Sequence, residues 1–353
     1  MNITKRNPPE DSANEERVLT GLHSLDWSFS DVAGHAGIPL RSIVEVTGSQ
    51  GIGKSTFVFS LAGLVADKLR RNITLIDFER QNQDTLKNCL ELSGFDGEVD
   101  WASYITDEQA KKKDDVRSES ILDISTKKCY EENPDVVMVD SIAAFTPTAM
   151  HEGELGDANM GIRAKIIKAW FLRTLKPLLA NAKPNIVFYT NHLYPVVGGF
   201  RPSMNSPVPM DSAGGTAVGY LSTQSIDLKK LFKYEYPEQG GWVLEGKIAK
   251  NRDGFGNESK KKFYVYLQAG EGVNRNVTSV IDCVMYGIAK SSSAAVTDSS
   301  TITMSGQKFP KFRDMISRRH DDELFLPFHN ALKAMKGYTE VEVPEYQAPL
   351  DED

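Results

Sequence analysis

The sequence predicts an α/β fold in which a mostly parallel central sheet is flanked by helices and followed by a small C-terminal α/β domain. Three observations lead there. Strand-like apolar runs alternate with helical stretches from Val18 to about Gly272, and such alternation builds a parallel sheet covered by helices. One strand–helix junction carries the glycine loop GSQGIGKST, residues 48–56. The later segments STQSIDLKKLF, GWVLEGKIAKN and KKFYVYLQ read as further strands, expected to be antiparallel.

The elements follow in order. Residues 1–17 are polar and read as a flexible N-terminal arm. The strand candidates are IVEVTG (43–48), ITLIDF (73–78), DVVMVDS (135–141) and NIVFYTN (185–191). Helical apolar spacing places helices near 55–71, 82–93, 119–132 and 161–181. Together these make a core expected over 18–276. The Ser/Ala/Thr-rich stretch 291–303 reads as a loop or turn region. Residues 311–336 read as helical within a C-terminal domain over 277–339, and 340–353 as a mobile acidic tail. No internal repeat is visible.

Composition sets bounds. The chain has 353 residues, 40% of them apolar, and a formal net charge of −7. Six acids and no base lie in EVEVPEYQAPLDED at the C-terminus, so the rest is close to neutral and local basic surfaces remain open to it. The three cysteines, Cys89, Cys129 and Cys283, form no CxxC pair, which suggests neither a zinc site nor a disulfide scaffold and fits a reducing compartment. No secretory h-region and no run of eighteen apolar residues is present, so membrane insertion is not expected.

The glycine loop fits G-x-x-x-x-G-K-[ST], with Gly48, Gly53, Lys54 and Ser55 in the defining positions. Glycines let backbone N–H groups converge on phosphate oxygens, and the following helix start favours anions. Ser49, Gln50, Gly51, Ile52 and Thr56 complete the expected phosphate cradle. Lys54 can bridge the outer phosphates of a nucleoside triphosphate, and the Ser55 hydroxyl can ligate Mg2+. In open parallel sheets, ligands sit beyond the carboxyl ends of the strands. Asp140, ending VVMVD, can therefore support the metal opposite Ser55. Glu79, after ITLIDF, is placed to polarise a water attacking the terminal phosphate. Asn191 and His192, ending IVFYT, can sense that phosphate.

Two further segments follow these strands. MHEGELGDANMG (150–161) leads into a helix bearing Arg163, Lys165, Lys168, Arg173 and Lys176. YPVVGGFRPSMNSPVPMDSAGGT (194–216) is long and reads as structureless, and loops of that length are usually functional or disordered.

From TGLHSLD (20–26) to about residue 287, the chain resembles the RecA family of DNA recombinases. The ordered motifs are TGLHSLD, IVEVTGSQGIGKST, LIDFE, VVMVDSIAAFTP, EGELGDANMG, the strand-end Asn-His, AGGTA and KIAKNR. Bacterial RecA carries Asn-Gln where this chain has Asn191-His192, and certain bacteriophage members carry Asn-His, so the pair resembles the phage branch. The N-terminal arm is shorter than in bacterial RecA.

The resemblance implies a RecA-like P-loop ATPase core with ATP and Mg2+ as cofactors. It implies Glu79 as the catalytic base, Asp140 as metal support and His192 as the γ-phosphate sensor. It also implies Lys250 and Arg252 as basic residues reaching a neighbouring subunit's ATP. Met160, Gly161 and Arg163 in the first segment, and Gly198, Gly199, Phe200, Arg201, Gly214 and Gly215 in the second, are implied to contact DNA. The adenine contact stays unassigned. The expected activity is DNA-dependent ATP hydrolysis with homologous pairing and strand exchange on single-stranded DNA, in helical filaments and in a bacterial or phage-infected cytoplasm. Homologous duplex, single-strand-binding proteins and loader proteins are the expected partners. Two alternatives stay open at this point: a hexameric DNA motor on the same core, and a non-catalytic single-strand coating protein assembled by ATP.

Overall fold

The structure is a computed structural model and describes residues 17–31, 34–79, 83–103, 118–131, 134, 136–145, 147, 161–180, 184–195, 210–212, 216–235, 240–252, 262–293 and 295–334. Among the described residues nine strands form the central sheet: β1 (Ser42–Gly48), β2 (Ile73–Asp77), β3 (Val99–Ser103), β4 (Val136–Asp140), β5 (Ile186–Thr190), β6 (Gln224–Tyr234), β7 (Gly241–Asn251), β8 (Lys262–Gln268) and β9 (Gly272–Val273). Their spatial order is β9-β8-β7-β6-β1-β5-β4-β2-β3. Pairing from β6 through β3 is parallel. Pairing from β6 to β9 is antiparallel.

The helices are α1 (His23–Ser28), α2 (Lys54–Leu69), α3 (Gln83–Ser93), α4 (Ser118–Glu131), α5 (Ile162–Trp170), α6 (Thr216–Leu221), α7 (Arg275–Met285), α8 (Phe312–Ser317) and α9 (Asp322–Lys333). Helix α5 runs on through a π-helical turn at Phe171–Leu175.

Strands β1, β2, β4 and β5 are buried along their whole length, which is why they read as unbroken apolar runs. Successive side chains leave a strand on opposite faces, and the core divides accordingly. Val44, Leu75, Val136 and Phe188 pack with α2 and α3 on one face. Ile43, Ile76, Val137 and Tyr189 pack with α4 and α5 on the other. A third apolar cluster joins Tyr234, Val243, Tyr264 and Tyr266 of the antiparallel strands to α7, α8 and α9. There α7 is capped by Asn274, whose side chain accepts from Val277 N–H at 3.0 Å.

The structure corrects several local expectations. VDWAS, not singled out as a strand, forms the edge strand β3. The region expected as loop or turn over 291–303 is so at 292, 293 and 295–300, but its two ends belong to a three-stranded sheet, Lys290–Ser291, Thr301–Met304 and Gln307–Lys311. Residues 311–336 are not one helical stretch. A turn at Arg318–His320 separates α8 from α9, and Asp321 caps the second helix by accepting from Leu324 N–H at 3.3 Å. The segment 194–216 is not structureless throughout, because Leu193–Pro195 pairs antiparallel with Met210–Ser212 and α6 begins at Thr216.

Of the N-terminal arm only Arg17 is among the described residues. It is buried, and its guanidinium donates to Phe29 O and Gly37 O at 2.8 Å each. Six residues on, His23 Nε2 on α1 lies 3.2 Å from His329 Nδ1 on α9. Among the described residues no helix is long and apolar enough to cross a membrane.

Candidate active site

The glycine loop leaves β1 at Gly48 and enters α2 at Lys54. Two of its glycines are demanded by close approach. A Cβ on Gly48, at φ +146°, would sit 2.5 Å from Ile52 Cδ1 and 2.7 Å from Leu228 O. On Gly53, at φ +99°, it would meet Leu267 Cδ1 at 2.9 Å and the Trp242 ring at 3.1 Å. The loop can therefore lie flat on β6, β7 and β8 only where side chains are missing. Its turn wraps the Lys54 ammonium, which donates to Gly48 O at 3.1 Å and Ser49 O at 3.0 Å. Burial lowers the Lys54 pKa, and the charges of Glu79 and Asp140 oppose that shift.

A cavity of about 520 Å³ opens above the loop. Gln50, Gly51, Gly53, Lys54, Ser55 and Thr56 form its floor. Glu79, Asp140, Thr190 and His192 line it from the ends of β2, β4 and β5, and Trp242 lines it from β7. Gly48 and Ile52 are buried beneath the loop and shape it from below.

Asp140 is 1% exposed. Its Oδ1 accepts from Ser55 Oγ at 3.2 Å and from Thr190 Oγ1. Its Oδ2 is buried with no hydrogen-bond partner among the described residues. Burial raises the Asp140 pKa to about 7, the hydrogen bond from Thr190 opposes the rise, and the charge of Glu79 adds to it. An orphaned carboxylate oxygen beside a serine hydroxyl, at the mouth of a phosphate-shaped loop, is a hard-oxygen donor set. Ser55 and Asp140 thus fit Mg2+.

Glu79 reaches the cavity from the turn after β2. Its backbone N–H donates to Asp77 Oδ1 at 2.9 Å, which fixes the turn. Its carboxylate accepts from Ser141 Oγ, and His192 Nε2 lies 3.6 Å from Oε1. The His192 N–H donates to Asn191 Oδ1 at 2.9 Å. Burial lowers the His192 pKa, Lys54 adds to this, and Glu79 opposes it, so the imidazole meets the cavity neutral at neutral pH. The arrangement combines a cation for phosphate charge at the start of α2 with a carboxylate for water and a neutral hydrogen-bonding ring, which follow β2 and β5.

The other expected site residues that are described stand apart from this cavity. Lys250 Nζ donates to Gly219 O at 2.8 Å and Tyr220 O at 3.2 Å, and Arg252 Nη2 donates to Tyr220 O at 2.5 Å. Both cations thus rest on the last carbonyls of α6, where the helix dipole favours them. Gly161 precedes α5, and Arg163 Nη1 donates to Ala143 O at 3.2 Å. Met160, Gly198, Gly199, Phe200, Arg201, Gly214 and Gly215 lie outside the described residues.

Ser141, Thr190 and Trp242 were not expected from the sequence. The Trp242 indole N–H donates to Ile52 O at 2.9 Å, holding the loop from beneath while its ring lines the cavity. Trp242→Phe keeps an aromatic ring on β7 but deletes that donor together with the second ring of the indole. The KM for ATP is expected to rise about three- to tenfold, the scale of one neutral hydrogen bond, with kcat nearly unchanged. Steady-state kinetics beside a thermal melt checks this, and an unchanged KM shows that the loop holds itself.

Comparison with known proteins agrees with the geometry. Protein RecA of Rhodopirellula baltica is 28% identical over 236 residues, covering 67% of this chain and 56% of that protein. Protein RecA of Allochromatium vinosum is 27% identical over 251 residues, 70% of this chain and 60% of that protein. Protein RecA of Legionella pneumophila (strain Corby) is 26% identical over 244 residues, 68% of this chain and 62% of that protein. The match spans less than two thirds of each of these relatives. The RecA N-terminal domain family matches residues 9–254, and the glycine loop, its strand-end carboxylates and the parallel strands β1 to β6 all fall within that stretch: the chain belongs to the RecA N-terminal domain family.

Proposed function

We propose that the protein is a DNA-dependent ATPase that assembles on single-stranded DNA as a helical filament and catalyses homologous pairing and strand exchange. The observation that carries this reading is the convergence of Lys54, Glu79, Asp140 and His192 on one cavity at the carboxyl ends of the parallel strands. Residues 18–276 act as the ATPase and DNA-binding core, 277–339 as a small C-terminal domain, with 1–17 as an arm and 340–353 as an acidic tail.

The loop backbone and Lys54 hold the phosphates of ATP. Bound through Ser55 and Asp140, Mg2+ would neutralise phosphate charge and polarise the terminal phosphoryl group. Glu79 accepts the proton of the attacking water, and Ser141 orients the carboxylate for it. His192 contacts the γ-phosphate and moves when that group leaves. The strand Leu193–Pro195 follows His192 directly and leads into the segment that ends at Met210–Ser212, so a shift at the strand end changes that segment's grip on DNA through differential contacts. Lys250 and Arg252 face the ATP of a neighbouring subunit, which makes nucleotide part of the filament joint. Base pairing selects homology, and the protein needs no base-specific contact. The Asn191-His192 pair supports placement in the phage branch, and a bacterial or phage-infected cytoplasm is the setting, with single-strand-binding and loader proteins as further partners.

A strand-exchange assay with ATP and homologous linear duplex, run beside electron microscopy, tests the reading. Expected are joint molecules that require both ATP and homology, together with open helical filaments. Closed rings with duplex unwinding would establish a motor instead, and filaments without ATP turnover a coating protein.

A further inference from the structure

We propose that Glu45 is a positioning residue that ties the nucleotide-facing pair Asn191–His192 to helix α6 and to the cations Lys250 and Arg252 resting on it. The inference deepens the recombinase reading above and rests on it.

Glu45 lies in the interior of β1, three residues before the glycine loop begins, and is 5% exposed. A carboxylate so buried needs several donors, and it draws them from both neighbouring strands. In register it pairs with Tyr189 on β5 and with Ser225 on β6. Asn191 Nδ2 donates to Oε1 at 3.0 Å and Ser225 Oγ donates to Oε2 at 3.4 Å, while the Tyr189 hydroxyl bonds Ser222 Oγ at 2.6 Å.

Helix α6 closes the remaining side. A Cβ built on Gly219 would lie 3.8 Å from Glu45 Oε2, so the helix backbone abuts the carboxylate. On the other side of that backbone, Gly219 O and Tyr220 O hold Lys250, and Tyr220 O holds Arg252. Lys250 is also the register partner of Ser225. Burial and Arg252 lower the Lys250 pKa, and the charge of Glu45 opposes them.

One buried carboxylate therefore stands between two functional ends. Toward the cavity the path runs through Asn191 to the backbone N–H of His192, whose ring lies 3.6 Å from Glu79. Toward the outer edge it runs through Ser225 and α6 to the two cations. The 191–192 strand end cannot shift without Glu45 losing or redirecting its Asn191 donor. A redirected carboxylate changes what α6 packs against, and α6 starts one residue after the Gly214–Gly215 pair. Buried polar networks of this kind favour discrete arrangements over gradual ones.

The test reads the ATP-induced gain in affinity for a labelled oligothymidylate, measured by fluorescence anisotropy with a slowly hydrolysed ATP analogue at one fixed salt concentration. Glu45→Gln keeps the shape but removes the charge and one acceptor oxygen, so at most one of the donors Asn191 Nδ2 and Ser225 Oγ still finds an oxygen, and neither finds a charged one. The gain is expected to fall about tenfold, the scale of one charge-assisted hydrogen bond, while nucleotide affinity stays within about threefold. The pair Glu45→Gln/Asn191→Asp restores the bond with donor and acceptor exchanged, and is expected to recover most of the gain. A merely structural role predicts a lowered melting temperature without that rescue. If Glu45→Gln retains the full gain, or the exchanged pair recovers nothing while both variants melt like the wild type, the inference is overturned. Should Glu45→Gln not fold, Ser225→Ala decides: a gain reduced about two- to threefold supports the inference, as expected for one weak hydrogen bond, and an unchanged gain overturns it. A wild-type protein with no ATP-induced gain at all overturns the recombinase reading itself, and this inference with it.

Discussion

Lys54→Ala is expected to reduce ATP turnover by at least about a hundredfold, the scale of losing one preorganised charged donor at the transition state. Lys54 is 6% exposed, and its ammonium is held between the loop carbonyls of Gly48 and Ser49. Those carbonyl contacts are what phosphate oxygens would replace, so the group is already in place before the nucleotide arrives. Its charge also offsets the mutual repulsion of Glu79 and Asp140, both of which act on its pKa. Alanine removes that cation and leaves two carboxylates facing one polyanion. Nucleotide affinity and turnover are therefore expected to fall together. Lys54→Arg is not expected to rescue, because the planar guanidinium does not fit the turn that encloses a compact ammonium. Phosphate-release kinetics measures the effect, with a melting curve to show that the fold persists. Hydrolysis at the wild-type rate in Lys54→Ala would sink the assignment of the loop as the phosphate site.

Glu79→Gln should separate binding from hydrolysis. The amide oxygen can still accept from Ser141 Oγ as the carboxylate does, so the side chain keeps its position. What it loses is the capacity to take a proton, and general-base contributions are typically about 10²- to 10⁴-fold in rate. Turnover should fall by that factor with nucleotide affinity within a few-fold of wild type. Because assembly follows ATP binding in the proposed mechanism, complexes of this variant on single-stranded DNA should also dissociate more slowly. Isothermal titration with a slowly hydrolysed analogue, beside turnover and dissociation kinetics, distinguishes the outcomes. Loss of affinity equal to the loss of turnover would make Glu79 a structural residue of the turn.

The site was legible in the sequence wherever a local rule generated it. Lys54 and Ser55 come from a contiguous loop whose glycines have steric causes. Asp140, Glu79 and His192 come from the rule that a parallel strand delivers its last residues to the ligand, applied to runs whose full burial makes them unmistakable. Trp242 and Glu45 come from no such rule. Trp242 reaches the loop because β7 pairs with β8 so that Trp242 sits opposite Leu267. Glu45 finds its donors because β1 lies between β5 and β6, a neighbourhood spanning about 180 residues of sequence. Strand order and register decide both, and neither leaves a local pattern. The missed β3 is short and edge-placed, with Asp100 interrupting its apolar character. The break between α8 and α9 was hidden because helical spacing resumes in nearly the same phase after the Arg318–His320 turn.

The contact between His23 and His329 spans 306 positions of the chain. Helix α1 also packs on β8 and α7, so all its described neighbours of this group belong to the last third of the polypeptide. On a ribosome adding roughly 5–20 residues per second, α1 is made first and waits about 15–60 s for His329 to be added. The glycine loop and the parallel strands are complete well before then. Vectorial synthesis thus delivers the glycine-loop half of the sheet while α1 still lacks its surroundings, and the antiparallel edge is sealed only when α1 and α9 meet.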